Sequence, residues 1–230
     1  MTDDFAILRE QDLINNPTPR VAICFCLDVS GSMRGERINE LNKGLSLFFD
    51  ALSKDEVAMY AAEIAIITFG GDRVECLRDF TSLSLSQKPP ILRARGRTLM
   101  GEAVNLALEK LNHRKDEYRN NGVDYYQPWL ILMSDGVPER NNELTRAKEA
   151  TKKLIIEKKL SVFSIGIGED ADMKELSAFS QPKRPALKLS GLKFREFFEW
   201  ISKSVSKTSQ SSPGDNIKLD VDGIAGWAEL

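Results

Sequence analysis

Apolar and polar positions divide most of the chain into two kinds of segment that alternate along it. Continuous apolar runs predict buried strands, and they occur at Val21–Leu27 and in the segments EIAIITFGG, PWLILMSDG, LSVFSIGIG and ALKLS. Between the runs, apolar residues recur at every third or fourth position, which is typical of a helix with one buried face. The helical segments are INELNKGLSLFFDAL, Gly101 to about Asn120, Glu143 to Lys158, Asp172 to Phe179, and FREFFEWISKSVSK.

The order of these elements predicts the fold class, because strands that alternate with helices form a mostly parallel sheet covered on both faces. One pair differs: RVECLRDF follows EIAIITFGG after only the Gly70-Gly71-Asp72 turn, which is the spacing of a hairpin. We therefore predict one α/β domain with a doubly wound, Rossmann-like, mostly parallel sheet and one antiparallel edge strand. The domain spans residues 20–207, after an N-terminal extension of residues 1–19. The tail, residues 208–230, is expected to pack on the body or to be flexible.

Composition and charge narrow the classes of partner. The 230 residues are 42% hydrophobic, enough for a sizeable core, and the formal net charge of −2 gives no global field toward nucleic acid or an anionic membrane. The acidic N-terminus does not read as a secretory signal, and no apolar run is long enough to span a bilayer. Cys24, Cys26 and Cys76 lie in strand-like surroundings, so we expect three reduced core thiols in a cytoplasmic protein.

Three polar segments fall at or near the carboxyl ends of predicted strands, where open parallel sheets place their functional crevice. They are Asp28-Val29-Ser30-Gly31-Ser32, Gly96-Arg97-Thr98-Leu99-Met100-Gly101 and Ser134-Asp135-Gly136. Each alone has an ordinary structural explanation, as a helix N-cap or a turn. Together they place the carboxylates of Asp28 and Asp135 with hydroxyl groups on one rim. Such an oxygen-only set suits a hard divalent cation, Mg²⁺ (or Mn²⁺), that keeps some of its water.

The motifs Asp-x-Ser-x-Ser after the first strand, Thr98 in Gly-x-Thr-x-x-Gly, and Asp-Gly after the fourth strand resemble the metal-ion-dependent adhesion site of the von Willebrand factor A domain. The resemblance implies that Ser30 and Ser32 ligate the metal directly. It implies that Thr98 does so directly or through water, and that Asp28 and Asp135 act directly or by holding coordinated waters. A free coordination position would accept an Asp or Glu carboxylate of a protein partner.

Within that family, FCLDVSGSMRGERINELNKGL, AIITFGG and YYQPWLILMSDGVP most resemble bacterial intracellular proteins associated with tellurium resistance and stress response. That resemblance implies a non-enzymatic adaptor whose partner is a protein kinase or phosphatase of the same gene cluster. Two departures stand out: Arg97 lies where a second glycine is frequent, and Ser134 where a threonine is frequent.

Two alternatives have different chemistry. A metal-dependent phosphohydrolase of the haloacid dehalogenase type would need a carboxylate where Ser30 stands, and the one histidine, His113, lies in a charged helix that predicts a solvated position. A metal-independent scaffold would use other contacts, such as Trp227 and the tail. The basic run His113-Arg114-Lys115 is interpreted as a solvated helix face.

Overall fold

The computed structural model describes residues 11–83, 88–181, 185–189, 191–213 and 228–229. Its strands are β1 Val21–Asp28, β2 Ala62–Gly70, β3 Arg73–Arg78, β4 Trp129–Ser134, β5 Ser161–Ile167, β6 Leu187–Leu189 and β7 Ala228–Glu229. Its helices are α1 Glu36–Ser53, α2 Glu56–Ala61, α3 Met100–Asn120, α4 Asn142–Ile156, α5 Met173–Ser177 and α6 Phe194–Ser209. A 3₁₀ turn, Gly31–Met33, separates β1 from α1, and residues 11–15 are helical.

The strands form one sheet in the order β3-β2-β1-β4-β5-β6-β7. The pairs from β2 to β6 are parallel, and β3 is antiparallel to β2 as the hairpin spacing predicted. The α/β fold class with its antiparallel edge strand is thus confirmed. The sequence did not predict α2, the 3₁₀ turn or the two-residue strand β7, which pairs antiparallel with β6 at the other edge.

Two hydrophobic cores lie on opposite faces of the sheet because successive side chains of a strand point to opposite sides. In β1, Phe25 belongs to the core beneath α1 and α6, whereas Cys24 and Cys26 belong to the core beneath α3, α4 and α5. Every residue of β1 is buried, as expected for a central strand covered on both faces. Among the helices in the described ranges, none has the length and apolar character needed to cross a bilayer.

The chain reverses its direction of winding at β1, which has β2 on one side and β4 on the other. Helices that leave β1 and β4 therefore diverge to different faces, and a crevice opens between the carboxyl ends of these two strands. Asp28 is the last residue of β1, and Asp135 follows Ser134, the last residue of β4. The fold thus brings two carboxylates that are 107 positions apart in sequence to one crevice.

The structure corrects two expectations about single residues. Arg114 is not on a solvated face: it is 3% exposed, and its guanidinium binds the buried Glu63 carboxylate at 2.6 and 2.9 Å. The reason is that α3 carries this position over the start of β2, where Glu63 and Tyr118 share a buried polar cluster. Cys76 is exposed because β3 is an edge strand, while Cys24 and Cys26 are buried as predicted. His113 is 76% exposed, in agreement with its predicted solvated position.

Tail residues 214–227, including Trp227, lie outside the described residues.

Candidate metal centre

Asp28 lies at the carboxyl end of β1, on the buried side of the crevice. Its side chain is fully buried, Oδ1 accepts a 2.8 Å hydrogen bond from the backbone N–H of Ser30, and Oδ2 accepts a 2.5 Å hydrogen bond from Ser134 Oγ. Burial raises the pKa of Asp28 to about 6; the hydrogen bonds oppose this rise and the nearby Asp135 charge adds to it. The site therefore holds an incompletely satisfied carboxylate that a cation would stabilise.

Ser30 and Ser32 face each other across the 3₁₀ turn that follows β1. Their hydroxyl oxygens are 3.0 Å apart, and Ser32 Oγ donates a 2.7 Å hydrogen bond to Asp135 Oδ1. Ser30 is the N-cap residue of the turn, but its side chain makes no capping hydrogen bond. The ordinary explanation of this serine as a helix cap therefore does not account for its side chain, which is turned toward the crevice instead.

Close contacts between loops hold the second polar segment against the first. The backbone N–H of Gly31 donates a 2.9 Å hydrogen bond to the carbonyl oxygen of Gly96. Gly96 has φ +62°, and a Cβ at this position would lie 2.1 Å from Cα of Gly71. Because only glycine fits both the conformation and the approach, this residue locks the loop before α3 onto the rim of the sheet.

Thr98 enters the site from that loop. Its Oγ1 lies 3.8 Å from the point where a Cβ on Gly136 would stand, and Ser32 Oγ lies 3.9 Å from the same point. The hydroxyls of Thr98 and Ser32 thus both border the position of Gly136, which has no side chain of its own to stand beside them. Leu99, rather than Thr98, is the N-cap of α3, so the hydroxyl of Thr98 is not used as a helix cap.

Arg37 is a site residue that the sequence analysis missed. Its Nη1 lies 2.6 Å from Asp135 Oδ2, the oxygen that Ser32 does not use. Arg37 belongs to the first turn of α1, where the helix dipole disfavours a cation, and this position is the signal that could have pointed to a carboxylate nearby. Ser134, which fixes Asp28, is the second residue whose role was not predicted.

Arg97, the departure noted in the sequence, does not point its charge into the crevice. Its guanidinium forms a bidentate ion pair with Glu139, in which Nη2 lies 2.7 Å from Oε2. The backbone N–H of Glu139 also donates to the carbonyl oxygen of Thr98 at 3.2 Å. The charge of Arg97 is therefore locally balanced, and the pair ties the loop before α3 to the loop after β4.

The structure brings all five predicted residues, Asp28, Ser30, Ser32, Thr98 and Asp135, to one crevice, and their chemistry fits a hard divalent ion. Adjacent ligands of an octahedral Mg²⁺ are about 3.0 Å apart at metal–oxygen distances of about 2.1 Å. The spacings of 3.0 Å between the serine hydroxyls and 2.7 Å from Ser32 to Asp135 are close to that value. Among the described residues there is no group of three or more His, Cys, Asp and Glu side chains arranged so that it could hold a metal ion. The donor set is consequently rich in hydroxyls and poor in negative charge.

The five candidate ligands differ in how far their side chains are buried. Asp28, Ser30 and Asp135 are buried, Thr98 is half-buried and Ser32 is exposed. An ion held here would face solvent on the side of Ser32 and Thr98, where an outside group can approach it.

A doubly wound α/β domain with an oxygen-rich crevice at its switch point defines a class of ligand-binding modules rather than a single protein. The profile of the von Willebrand factor type A domain matches residues 22–199, and the chain belongs to this family.

Similar proteins agree with this placement. The chain is 27% identical over 179 residues to inter-alpha-trypsin inhibitor heavy chain H2 of Mus musculus, and the match covers 74% of this chain but 18% of that protein. The pilus adhesin SpaC of Lactobacillus rhamnosus GG shares the fold, with a TM-score of 0.65 at 14% identity, covering 83% of this chain and 31% of that one. The manganese-loaded TRAP protein of Plasmodium vivax has a TM-score of 0.50 at 26% identity, covering 72% of this chain and 65% of that one.

Proposed function

We propose that this protein is a non-enzymatic, metal-dependent protein-binding module. Asp28, Ser30, Ser32, Thr98 and Asp135 hold Mg²⁺ or Mn²⁺, and a carboxylate of a protein partner completes the coordination. The observation that carries the proposal is the convergence of two carboxylates and three hydroxyls from three separate loops on one solvent-facing crevice. The manganese-loaded TRAP protein supports the choice of a divalent ion.

The charge of the site supports a carboxylate as the incoming ligand. Hydroxyls are neutral donors, so a divalent ion held by two carboxylates and by hydroxyls that face solvent keeps affinity for an anionic oxygen. Catalysis would require a general base or a nucleophile poised beside the ion. The groups described around this crevice are carboxylates and hydroxyls that bind one another, together with an arginine that stays charged.

The finer proposal concerns the cellular setting. We propose that the module is an adaptor in a bacterial stress-response or tellurium-resistance system and acts in the cytoplasm. Its partner is a protein kinase or phosphatase. It rests on the resemblance of the motif segments alone. The matched region of the mouse relative is 18% of that protein, so the functions of whole relatives are not transferred to this chain.

Calorimetric titration of the purified chain with Mg²⁺ and Mn²⁺ tests the metal. Free ion at about ten times its dissociation constant stabilises the fold by roughly 1.4 kcal/mol. For a domain of this size, that corresponds to about 3–6 °C in melting temperature. Ser32→Ala removes one exposed hydroxyl ligand of the metal and keeps both carboxylates, Asp28 and Asp135. It should abolish the heat of binding. Ser46→Ala, an exposed serine of α1, is the matched control and should bind the ion as the wild type does.

Capture of partners from a lysate in Mg²⁺ and in chelator tests the second half of the proposal. A partner retained only with the metal, and lost with Ser32→Ala, is the expected result. Equal retention in both buffers would replace the metal-bridged mechanism with the scaffold alternative. If the folded chain shows no heat of binding and no thermal shift at millimolar ion, the proposed metal binding is wrong.

A further inference from the structure

Arg37 forms an ion pair with Asp135, one of the two carboxylates of the site. Its Nη1 binds Asp135 Oδ2 at 2.6 Å, while the other oxygen of the same carboxylate accepts the hydroxyl of Ser32. The Asp135 side chain is 0% exposed and that of Arg37 is 27% exposed. One carboxylate thus presents one oxygen to the hydroxyl cluster and the other to a permanent cation.

The other charges near the crevice change this balance little. Arg97 is paired with Glu139. Asp170 lies 3.9 Å from Arg37 Nη2 but is 84% exposed, so solvent screens it. Arg34, in the loop before α1, is exposed, and no ion pair is found for it in the described residues. The charges that matter inside the crevice are those of Asp28, Asp135 and Arg37.

The net charge of the site follows from these three groups. Two carboxylates and one guanidinium sum to −1, and a bound divalent ion brings the sum to +1. An incoming carboxylate then brings it to zero. Without Arg37, the loaded site would already be neutral, and a carboxylate would leave it at −1.

We propose that Arg37 is the internal counter-cation of this site, which lowers its affinity for the divalent ion and raises the affinity of the loaded site for a carboxylate ligand. This inference rests on the proposed function. In the metal-free protein, Arg37 keeps Asp135 oriented and paired. In the metal-bound protein, Arg37 repels the divalent ion and attracts the anionic group of the partner.

Two electrostatic effects make the loss of Arg37 tighten the binding of the divalent ion. A guanidinium bound to a ligating carboxylate repels the ion that the carboxylate attracts. Loss of Arg37 also removes the cation that balances Asp135 in the metal-free state, so ion binding relieves a stronger repulsion between Asp28 and Asp135 than in the wild type. Loss of orientation at Asp135 acts in the opposite direction, but Ser32 still holds Oδ1. The electrostatic effects therefore dominate.

The test uses Arg37→Gln, with Arg34→Gln as a control that removes the same formal charge from the neighbouring loop without touching Asp135. Arg37→Lys keeps the charge. The probes are Mn²⁺ alone, measured by the electron paramagnetic resonance of the free ion, and acetate added to the Mn²⁺-saturated protein. Acetate binding is read from the water-proton relaxation that is lost when a coordinated water is displaced, and acetamide serves as the uncharged control.

Arg37→Gln should tighten Mn²⁺ by roughly three- to tenfold and weaken acetate by a similar factor, the size expected for one partly screened charge. Arg34→Gln should change either constant less than about twofold at the same ionic strength. Arg37→Lys should stay near the wild type in both constants. The melting temperature of Arg37→Gln should fall in chelator and rise more on Mn²⁺ addition than that of the wild type. Arg37→Met, which keeps the apolar stem, takes its place if the Gln variant does not fold.

Opposite changes in the two constants support the proposal, because a purely structural role would weaken both together. If the wild type binds Mn²⁺ and Arg37→Gln binds it equally or more weakly, the counter-cation role is wrong and the proposed function stands. If the wild type itself binds no divalent ion, the proposed function fails, and this inference fails with it.

Discussion

Ser134 donates a 2.5 Å hydrogen bond to the carboxylate of Asp28 and so joins the carboxyl ends of β1 and β4 at the bottom of the crevice. Both side chains are fully buried. The hydrogen bond lowers the cost of keeping a carboxylate in this position but does not remove it, since the pKa of Asp28 is still raised to about 6. Asp28 is therefore kept at the expense of stability, which is typical of a functional rather than a structural residue.

The first prediction is that Asp28→Asn stabilises the metal-free protein at pH 7. The pKa of Asp28 rises from 3.8 to about 6 on folding, so its protonated form favours the fold. That contribution is complete below about pH 3.8 and is lost as the pH rises through about 6. The ionised carboxylate then costs on the order of 3 kcal/mol. Urea unfolding in chelator should show the Asn variant more stable by roughly 1–3 kcal/mol at pH 7.

The pH dependence distinguishes this effect from a change in packing. The advantage of Asp28→Asn should disappear near pH 4, where the wild-type carboxyl is protonated. Asp50→Asn, on the exposed face of α1, should show no such dependence. An Asn variant less stable than the wild type at both pH values would mean that the hydrogen bonds to Ser30 and Ser134 outweigh the cost of burial.

The second prediction concerns the glycine that locks two loops together. Gly96→Ala places a Cβ 2.1 Å from Cα of Gly71 and imposes a side chain at φ +62°. We expect a loss of several kcal/mol or a displaced loop, together with weaker metal binding because Thr98 moves. Gly122→Ala is the matched control, since Gly122 has φ +67° but nothing within 4 Å. The control should lose about 1 kcal/mol and bind the metal normally. Equal losses in both variants would refute the contact with Gly71.

The sequence predicted the architecture because each central strand is a continuous apolar run and each crossover helix has one apolar face. It also predicted that Asp28 and Asp135 lie together, since each directly follows a run that ends at the same edge of a parallel sheet; that they and the three hydroxyls bind a metal stays a prediction. Arg37 was missed because its partner depends on how α1 is set against β4; its place in the first turn of α1 signals only that a carboxylate lies nearby, not which one. Arg114 was misread for a related reason: a charge run looks solvated unless the buried partner, here Glu63, is known.

The third prediction concerns that buried cluster. Arg114 is 3% exposed and binds Glu63, whose Oε2 also accepts a 2.7 Å hydrogen bond from the hydroxyl of Tyr118. Arg114→Gln leaves the Glu63 carboxylate buried without its main partner and should cost about 3–5 kcal/mol. Arg119→Gln, an exposed arginine of the same helix paired with Asp116, should be neutral. Chemical denaturation of the two variants makes the comparison, and a neutral Arg114→Gln would show that the pair is dispensable.

The fourth prediction separates the three cysteines by reactivity. Cys76 is exposed on the edge strand β3, whereas Cys24 and Cys26 are buried in β1. Burial, reinforced by the neighbouring Cys26, raises the pKa of the Cys24 thiol well above its usual value, which lowers its reactive thiolate fraction at neutral pH. A maleimide reagent should label one thiol rapidly in the native protein and all three after unfolding, as counted by intact mass. Cys76→Ser should abolish the rapid phase. Rapid labelling of three thiols in the native state would mean that β1 is accessible and that the central strand is not buried on both faces.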